Sequence, residues 1–445
     1  MSEKKFHVIN FGCRTSQSEG SAIHAELSEG ASPSTSPFQA DVLIVNSCTV
    51  TENAEREARR LIRRVGRRSP STRIIVTGCY AQRDPAELAA LSNVSYVVGN
   101  SHKSMVGVLA KQVLSDPLGE GRAQIFCSDI FEQRQLESTS HQGSGGRTRA
   151  TVKVQDGCNA RCSFCVIPFV RGRSRSLPLA DLIEQVGSLV ERGYREVVLS
   201  GIHLGHYGRD LSPSLSLEEL IHSVLHDVRS LERLRLSSIE PLEVTKTLIE
   251  SMAVTEKIAE HFHVPMQSGS SRILREMGRP YDSSYYADLL SRIRECLPNA
   301  SIGADVMVGF PGETDDDFMQ TYDLISRSPL TYLHVFPYSA RPGTVASTLP
   351  NRIPEHVAQF RGSMLRKLIG EKNVRFRRSF IGRKVPVLVF DEGAESGWRQ
   401  GITDNFIKTQ VPASLEPNRW HRVEVSALDA GGFQVSNMTT AAETA

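Results

Sequence analysis

The stretch Thr151-Val152-Lys153-Val154-Gln155-Asp156-Gly157-Cys158-Asn159-Ala160-Arg161-Cys162-Ser163-Phe164-Cys165 decides how this chain is read. Its first residues read as a β-strand, and a loop with C-x3-C-x2-C spacing follows at once. Three thiolates in one short loop can hold three irons of a four-iron cluster and leave the fourth open. An open iron can bind a small molecule, so the spacing points to chemistry as well as to structure. A structural zinc site is the competing reading, but a zinc held by cysteines alone normally takes four of them.

Working outward, a series of βα units follows. Strands are expected at Thr151–Gln155, Glu196–Ser200, Arg233–Ser237, His261–Pro265, Ser301–Val308 and Tyr332–Pro337, with helical stretches such as Leu179–Glu191 between them. Six units imply a partial, open (βα)6 barrel, related to the eightfold one whose active sites lie at the C-terminal ends of the strands. Turns rich in small and polar residues occupy those ends: Gly201 and its neighbours, Ser237, Ser238 and Glu240, Gln267 with Ser268 and Gly269, and Gly309, Gly312 and Glu313. Each alone reads as a turn. Four of them on one rim with a cysteine loop read as a binding site, where glycine lets backbone approach a ligand.

Before this series the pattern is β-α-β-α-β, with apolar runs at Phe6–Phe11, Asp41–Asn46 and Arg73–Thr77. A parallel sheet is expected. Cys13, Cys48 and Cys79 each follow one of these runs. The C-terminal ends of neighbouring parallel strands share one edge, so three dispersed thiols would converge there. Each also lies near an expected helix start, where positive partial charge favours thiolate. The other reading is three small buried apolar side chains, as free cysteine often is. The run at 31–37 reads as a surface turn, and the Gly/Ser-rich run from Ser138 to Gly146 as a linker. From about Lys384 short strands alternate with turns, which implies a small antiparallel β-barrel of about five strands. Cys127 and Cys296 sit in no motif and read as packing residues.

Gross composition excludes several classes. The chain has 445 residues, 52 Lys plus Arg against 50 Asp plus Glu, and a net charge of +2. Nucleic-acid binding must therefore come from local patches. No apolar run is long enough to span a bilayer, so no membrane partner is expected. Eight cysteines without an apparent export signal point to reduced thiols in the cytoplasm.

The cysteine loop resembles that of the radical S-adenosylmethionine (SAM) enzymes. The whole chain resembles the methylthiotransferases: a three-strand, three-cysteine start, a radical SAM core and a terminal barrel similar to the TRAM RNA-binding module. The segments Asn46–Thr51, Gly78–Gln82, Val154–Cys158, Gly201–Gly208 and Leu236–Pro241 resemble the branch acting on threonylcarbamoyladenosine 37 of tRNA. The alternative branches act on isopentenyladenosine 37 or on a ribosomal-protein aspartate. A non-catalytic RNA-binding protein with a structural metal is a further alternative.

The resemblance implies an α/β protein divided at 1–137, 148–378 and 379–440. It implies a 4Fe-4S cluster on Cys158, Cys162 and Cys165 and a second on Cys13, Cys48 and Cys79. It also implies SAM as radical source and methyl donor, with Gly201, Ser237, Ser238, Glu240, Gln267, Gly309, Gly312 and Glu313 as candidate contacts. The expected partners are the tRNA anticodon loop and a reductant such as a flavodoxin or ferredoxin. The target, adenine C2–H, is an aromatic bond that no side chain deprotonates usefully at neutral pH, so a carbon-centred radical is the implied route.

For RNA contact, Arg59, Arg60, Arg63, Arg64, Arg67 and Arg68 fall on one helical stripe, with Glu52, Glu55 and Glu57 as partial balance. Arg375, Arg377, Arg378, Arg383 and Lys384 form a second basic cluster. Phe406 and Lys408 read either as base and phosphate contacts or as barrel core, and Arg171, Arg173 and Arg175 either as anticodon contacts or as rim cover.

Overall fold

The computed structural model describes residues 4–115, 122–136, 148–391, 397–429 and 431–435. The expected linker from Ser138 to Gly146 lies outside them. The first sheet holds β1 (Lys5–Asn10), β2 (Ser32–Pro33), β3 (Val42–Ser47), β4 (Arg73–Gly78), β5 (Val94–Val98) and β6 (Gln124–Phe126), in the order β2-β1-β3-β4-β5-β6. All its pairings are parallel. Along β3, Val42 and Ile44 enter one core and Leu43 and Val45 the other. That two-sided burial is what a helix-covered parallel sheet requires. The run at 31–37 is not only a turn, since its Ser32–Pro33 pairs with Lys5–Phe6 as an edge strand.

The helices between these strands are α1 (Arg14–Ser28), α2 (Glu52–Arg68), α3 (Cys79–Arg83), α4 (Pro85–Ala89) and α5 (Met105–Ser115). Thr51 caps α2 by accepting from the Ala54 N–H, Glu52 and Glu55 stand in its first turn, and Arg67 and Arg68 in its last, the arrangement its dipole favours. Ala58, Leu61, Ile62 and Val65 bury one face.

The central strands are β7 (Arg149–Asp156), β8 (Arg175–Ser176), β9 (Glu196–Gly201), β10 (Arg233–Leu236), β11 (His261–His263), β12 (Ser301–Val308) and β13 (Tyr332–Pro337). Two parallel ladders, β10-β9-β7 and β11-β12-β13, meet through the Ser238–His263 bridge. This is the open six-strand barrel expected from the sequence; the two-residue β8 is an addition, pairing antiparallel with the end of β7. Around it run α6 (Ile167–Arg171), α7 (Leu179–Glu191), α8 (Leu217–Asp227), α9 (Lys246–Val254), α10 (Ser271–Glu276), α11 (Ser283–Cys296), α12 (Asp315–Arg327) and α13 (Glu355–Arg378). α1 lies along the free side of β7, where Ser18 Oγ donates to Thr151 O at 2.9 Å. Among the described residues no helix is long and apolar enough to cross a membrane.

The chain ends in β14 (Lys384–Val389), β15 (Trp398–Thr403), β16 (Lys408–Pro412), β17 (Trp420–Leu428) and β18 (Phe433–Val435), closed in the order β14-β15-β16-β18-β17. Four of its pairings are antiparallel, but β16 and β18 run parallel, which the expectation of an antiparallel barrel missed. β18 is too short for its direction to be read from pattern. Cys296, expected to pack, is exposed at the end of α11.

Candidate active site

The cysteine loop is shaped by the residues just before it. Gln155 Nε2 donates to the Asp156 and Gly157 carbonyls at 3.0 and 2.8 Å, and its Oε1 accepts from the His203 N–H at 2.8 Å. Asp156 Oδ1 accepts from the Gly157 N–H at 2.8 Å. Gly157 has φ +75°, and a Cβ there would fall 2.0 Å from the Arg173 carbonyl, so only glycine fits the turn. Cys158 Sγ lies 3.4 Å from His203 Nδ1, and Cys162 Sγ accepts from Arg279 Nη1 at 3.1 Å. Arg279 also pairs with Glu240. His203 Nε2 contacts Glu243 at 2.8 Å, and His206 reaches the same carboxylate at 2.9 Å. Burial would raise the Glu243 pKa, but the two imidazoles bring it down to about 2.

Cys13, Cys48 and Cys79 do converge at one sheet edge. Cys13 is the N-cap of α1 and Cys79 the first residue of α3. A Cβ on Gly12 would lie 3.0 Å from Cys48 Sγ. Burial, reinforced by the neighbouring Cys79 and Cys13, pushes the Cys48 thiol up to about 12. Burial, with Cys162 and Cys158 nearby, does the same to Cys165, also to about 12. At Cys48 desolvation therefore outweighs any help from a helix start. All six thiols are free. As thiolates they need a cation that the protein does not fully supply.

The spacing of the sulfurs bears on a single-zinc reading. A tetrahedral zinc with bonds of about 2.3 Å holds its sulfurs about 3.8 Å apart. Among the described residues, three potential ligand atoms lie within 4.8 Å of one another only in His203, His206, Glu243 and in His263, Asp305, His334. Neither cysteine set is that tight.

One side chain ties the two sets together. Arg171, fully buried at the end of α6, donates Nε to Cys79 Sγ at 3.2 Å, although it follows the Cys158 loop in sequence. Its Nη1 reaches Glu19 Oε1 and Asp156 Oδ1, both at 2.9 Å. Cys79 also packs against Val166 and Val170, immediately beyond Cys165. Lys153 and Lys103 complete the charge cluster around Glu19. Burial opposes ionisation of Glu19, yet Arg171, Lys103 and Lys153 hold its pKa well below the ordinary value. A second buried clamp joins Glu55 of α2 to Arg83 at 2.9 Å and to Arg341 at 2.5 Å.

The rim residues divide. Ser237 Oγ is buried without a partner, Ser238 is exposed, Glu240 faces Arg279, and Gln267 adopts φ +66°. Gly201 abuts Gln155, and Gly312 borders open space. Gly309 sits against Ala358 of α13, while the Glu313 carboxylate accepts from the Gly309 N–H at 2.7 Å and pairs with Arg361 at 2.6 Å. The structure shows these last two holding the β12–α12 turn.

Several basic residues have internal tasks. Arg171 and Arg175 are buried, so of that trio only Arg173 faces solvent. Arg377 is buried and donates to the Asp429 and Gly432 carbonyls. Glu55 belongs to the Arg341 clamp and, of the α2 stripe, acts on Arg59. On that stripe Arg60, Arg63, Arg64, Arg67 and Arg68 are exposed, with Arg64 and Arg68 over the Phe38 ring. Phe406 is neither barrel core nor open platform. Its ring enters the central barrel beside His261, under three guanidiniums. Sequence reasoning missed Arg279 and Glu243, gave Arg171 an anticodon or rim role, and named His203 only within its segment; His203 and Glu243 each follow a strand end, which was the available signal.

Two family models match the chain: the uncharacterized protein family UPF0004 over residues 5–99 and the Radical SAM superfamily over residues 152–325. The threonylcarbamoyladenosine tRNA methylthiotransferase MtaB of Bacillus subtilis (strain 168) is 37% identical over 97% of this chain and 95% of its own length. The protein of the same name from Aquifex aeolicus (strain VF5) is 37% identical over 93% of this chain and 98% of its own length. Among solved structures, the radical S-adenosylmethionine methyltransferase TsrM from Kitasatospora setae, with cobalamin and a 4Fe-4S cluster bound, is similar in fold. Its TM-score is 0.54 at 14% identity, over 78% of this chain and 74% of that one.

Proposed function

The chain belongs to the threonylcarbamoyladenosine tRNA methylthiotransferases, and we propose that it works with two 4Fe-4S clusters, one on each cysteine set. It converts N6-threonylcarbamoyladenosine 37 of tRNA to its 2-methylthio derivative. It uses SAM and the cluster that defines the radical SAM superfamily. When bound, these groups would supply one-electron chemistry and a methyl group, and a second cluster on Cys13, Cys48 and Cys79 would supply the transferable sulfur.

The remaining work falls to the chain's own residues. Cys158, Cys162 and Cys165 hold one cluster by three thiolates, and Cys13, Cys48 and Cys79 hold the other. Arg279 and Arg171 donate to one sulfur of each set and offset the cost of keeping buried thiolates. Ser237, Ser238, Glu240, Gln267, Gly201 and Gly312 line the SAM site; Gly309 and Glu313 shape its far turn. The exposed arginines of α2 and the terminal barrel hold the tRNA, and a flavodoxin- or ferredoxin-type protein delivers electrons. The functional division is 1–137, 148–378 and 379–440.

The observation that carries this reading is the Arg171 contact with Cys79, which brings the second cysteine set to the foot of the first. The test has two parts. Nucleoside mass analysis of tRNA from cells lacking the gene, with and without this chain restored, should show the 2-methylthio derivative of threonylcarbamoyladenosine only on restoration. Anaerobically reconstituted protein should carry about eight irons per chain. A content of about four would remove the second cluster.

A further inference from the structure

Arg14 follows Cys13 and opens α1. Its guanidinium lies 5.0 Å from the Phe406 ring centroid, inside the central barrel. Arg149 and Arg235 stand over the same ring at 5.5 and 5.2 Å. Those two have anionic partners. Arg149 Nε donates to Glu196 at 2.8 Å, and Arg235 makes two bonds to Glu196 at 2.7 and 2.9 Å.

Arg14 has no such partner. Among the described residues its guanidinium makes no hydrogen bond and no ion pair. Glu196 is already shared between two arginines. The other carboxylate on this wall, Asp305, accepts from His263 at 3.1 Å and His334 at 3.2 Å. Of the three guanidiniums over the Phe406 ring, Arg14 alone has no carboxylate partner among the described residues, while Asp404 nearby pairs with Arg233 at 3.7 Å. A half-buried guanidinium with no anionic partner leaves its donors for an anion that arrives from outside.

We propose that Arg14 binds the carboxylate of the substrate's threonyl arm. This rests on the function proposed above. The carboxylate is the one anionic group on the modified base; unmodified adenosine and an isoprenoid-bearing base lack it. The planar guanidinium matches a carboxylate with two parallel hydrogen bonds. The neighbouring Cys13 belongs to the second cysteine set, so one segment would hold both the arm and the sulfur-bearing group. Arg14 is a binding residue that sets specificity.

The test compares two anticodon stem-loop RNAs, one carrying threonylcarbamoyladenosine and one carrying its primary amide in place of the threonyl carboxylate. Binding is read by fluorescence anisotropy at fixed salt. The reconstituted wild-type protein should prefer the carboxylate RNA by about ten- to a hundredfold. Arg14→Gln should bring the two affinities to within about twofold, and Arg14→Lys should keep part of the preference. Equal binding of both RNAs by wild-type protein would overturn the proposal, and that arm needs no variant. Full preference in Arg14→Gln would overturn it too, as would equal weakening toward both RNAs, which is what a purely structural clamp on Phe406 predicts. Turnover separates the two claims. If wild-type protein fails to methylthiolate the carboxylate RNA, the function is wrong. If it succeeds while Arg14→Gln keeps the preference, only this assignment fails.

Discussion

Cys158, Cys162 and Cys165 lie in one loop, whereas Cys13, Cys48 and Cys79 come from three strand ends, and the contrast governs how each set forms. The loop set is shaped by neighbours in sequence: Asp156 caps the turn, and Gly157 permits it. The strand-end set exists only when β1, β3 and β4 are side by side. It also borrows Arg171 from the other half of the molecule. A local site can be seen as spacing; a topological site can be seen only through strand order.

The sharpest way to break this comparison is to remove one thiol from each set. Cys158→Ala should abolish both SAM cleavage and product formation. Cys13→Ala should retain SAM cleavage and lose methylthiolation, with products followed by chromatography and mass analysis. Product from Cys13→Ala would deny the strand-end set its role.

Next in size is the tie between the sets. Arg171→Met leaves Glu19 and Asp156 beside Lys153 and Lys103 without their central cation. It should cost about 3–5 kcal/mol in denaturant unfolding. It should also impair the strand-end set more than the loop set, read as loss of iron from the former.

Glu196 tests the barrel wall at the start of β9. It is fully buried between Arg149 and Arg235. Burial would raise its pKa, but the two arginines lower it from 4.5 to about 2. A depressed carboxylate pKa gives stability that is complete above about 4.5 and is lost as pH falls through about 2. Over that window the wild-type protein should lose about 3 kcal/mol that Glu196→Gln does not lose, since the variant lacks it at every pH. Melting curves across the acid range measure this.

The smallest expected effect separates exposed from buried arginine. Replacing Arg63 or Arg67 with Ala should lower the slope of log affinity for tRNA against log salt by about 1 each. Arg377→Ala should leave the slope alone and cost about 1–3 kcal/mol of stability by orphaning two carbonyls.

Much of this architecture was legible in the sequence, for physical reasons. The six central strands alternate with helical stretches in a regular βα series, and each falls within a few residues of its expected place, even the short β10 and β11. Of the first sheet, β2, β5 and β6 escaped: β2 and β6 are edge strands of two and three residues that carry too little pattern, and β5 lies beyond the three strand ends that the cysteines marked. The parallel β16–β18 pair escaped for the same reason. Among the basic residues, charge alone could not tell solvated from buried. Arg171, Arg175 and Arg377 look like Arg173 in sequence, and for Arg171 and Arg377 a carboxylate or carbonyl partner lies far along the chain. Phe406 was ambiguous because its cage of guanidiniums comes from α1, β7 and β10.

The claim beneath all of this is that two separate cysteine sets each carry a four-iron group in one folded chain. Iron and sulfide analysis after anaerobic reconstitution of three proteins tests it directly: wild type, a Cys13/Cys48/Cys79→Ala variant and a Cys158/Cys162/Cys165→Ala variant. About eight irons in the first and about four in each of the others is the predicted result. About four in the wild type, or no loss of iron from either variant, would contradict it.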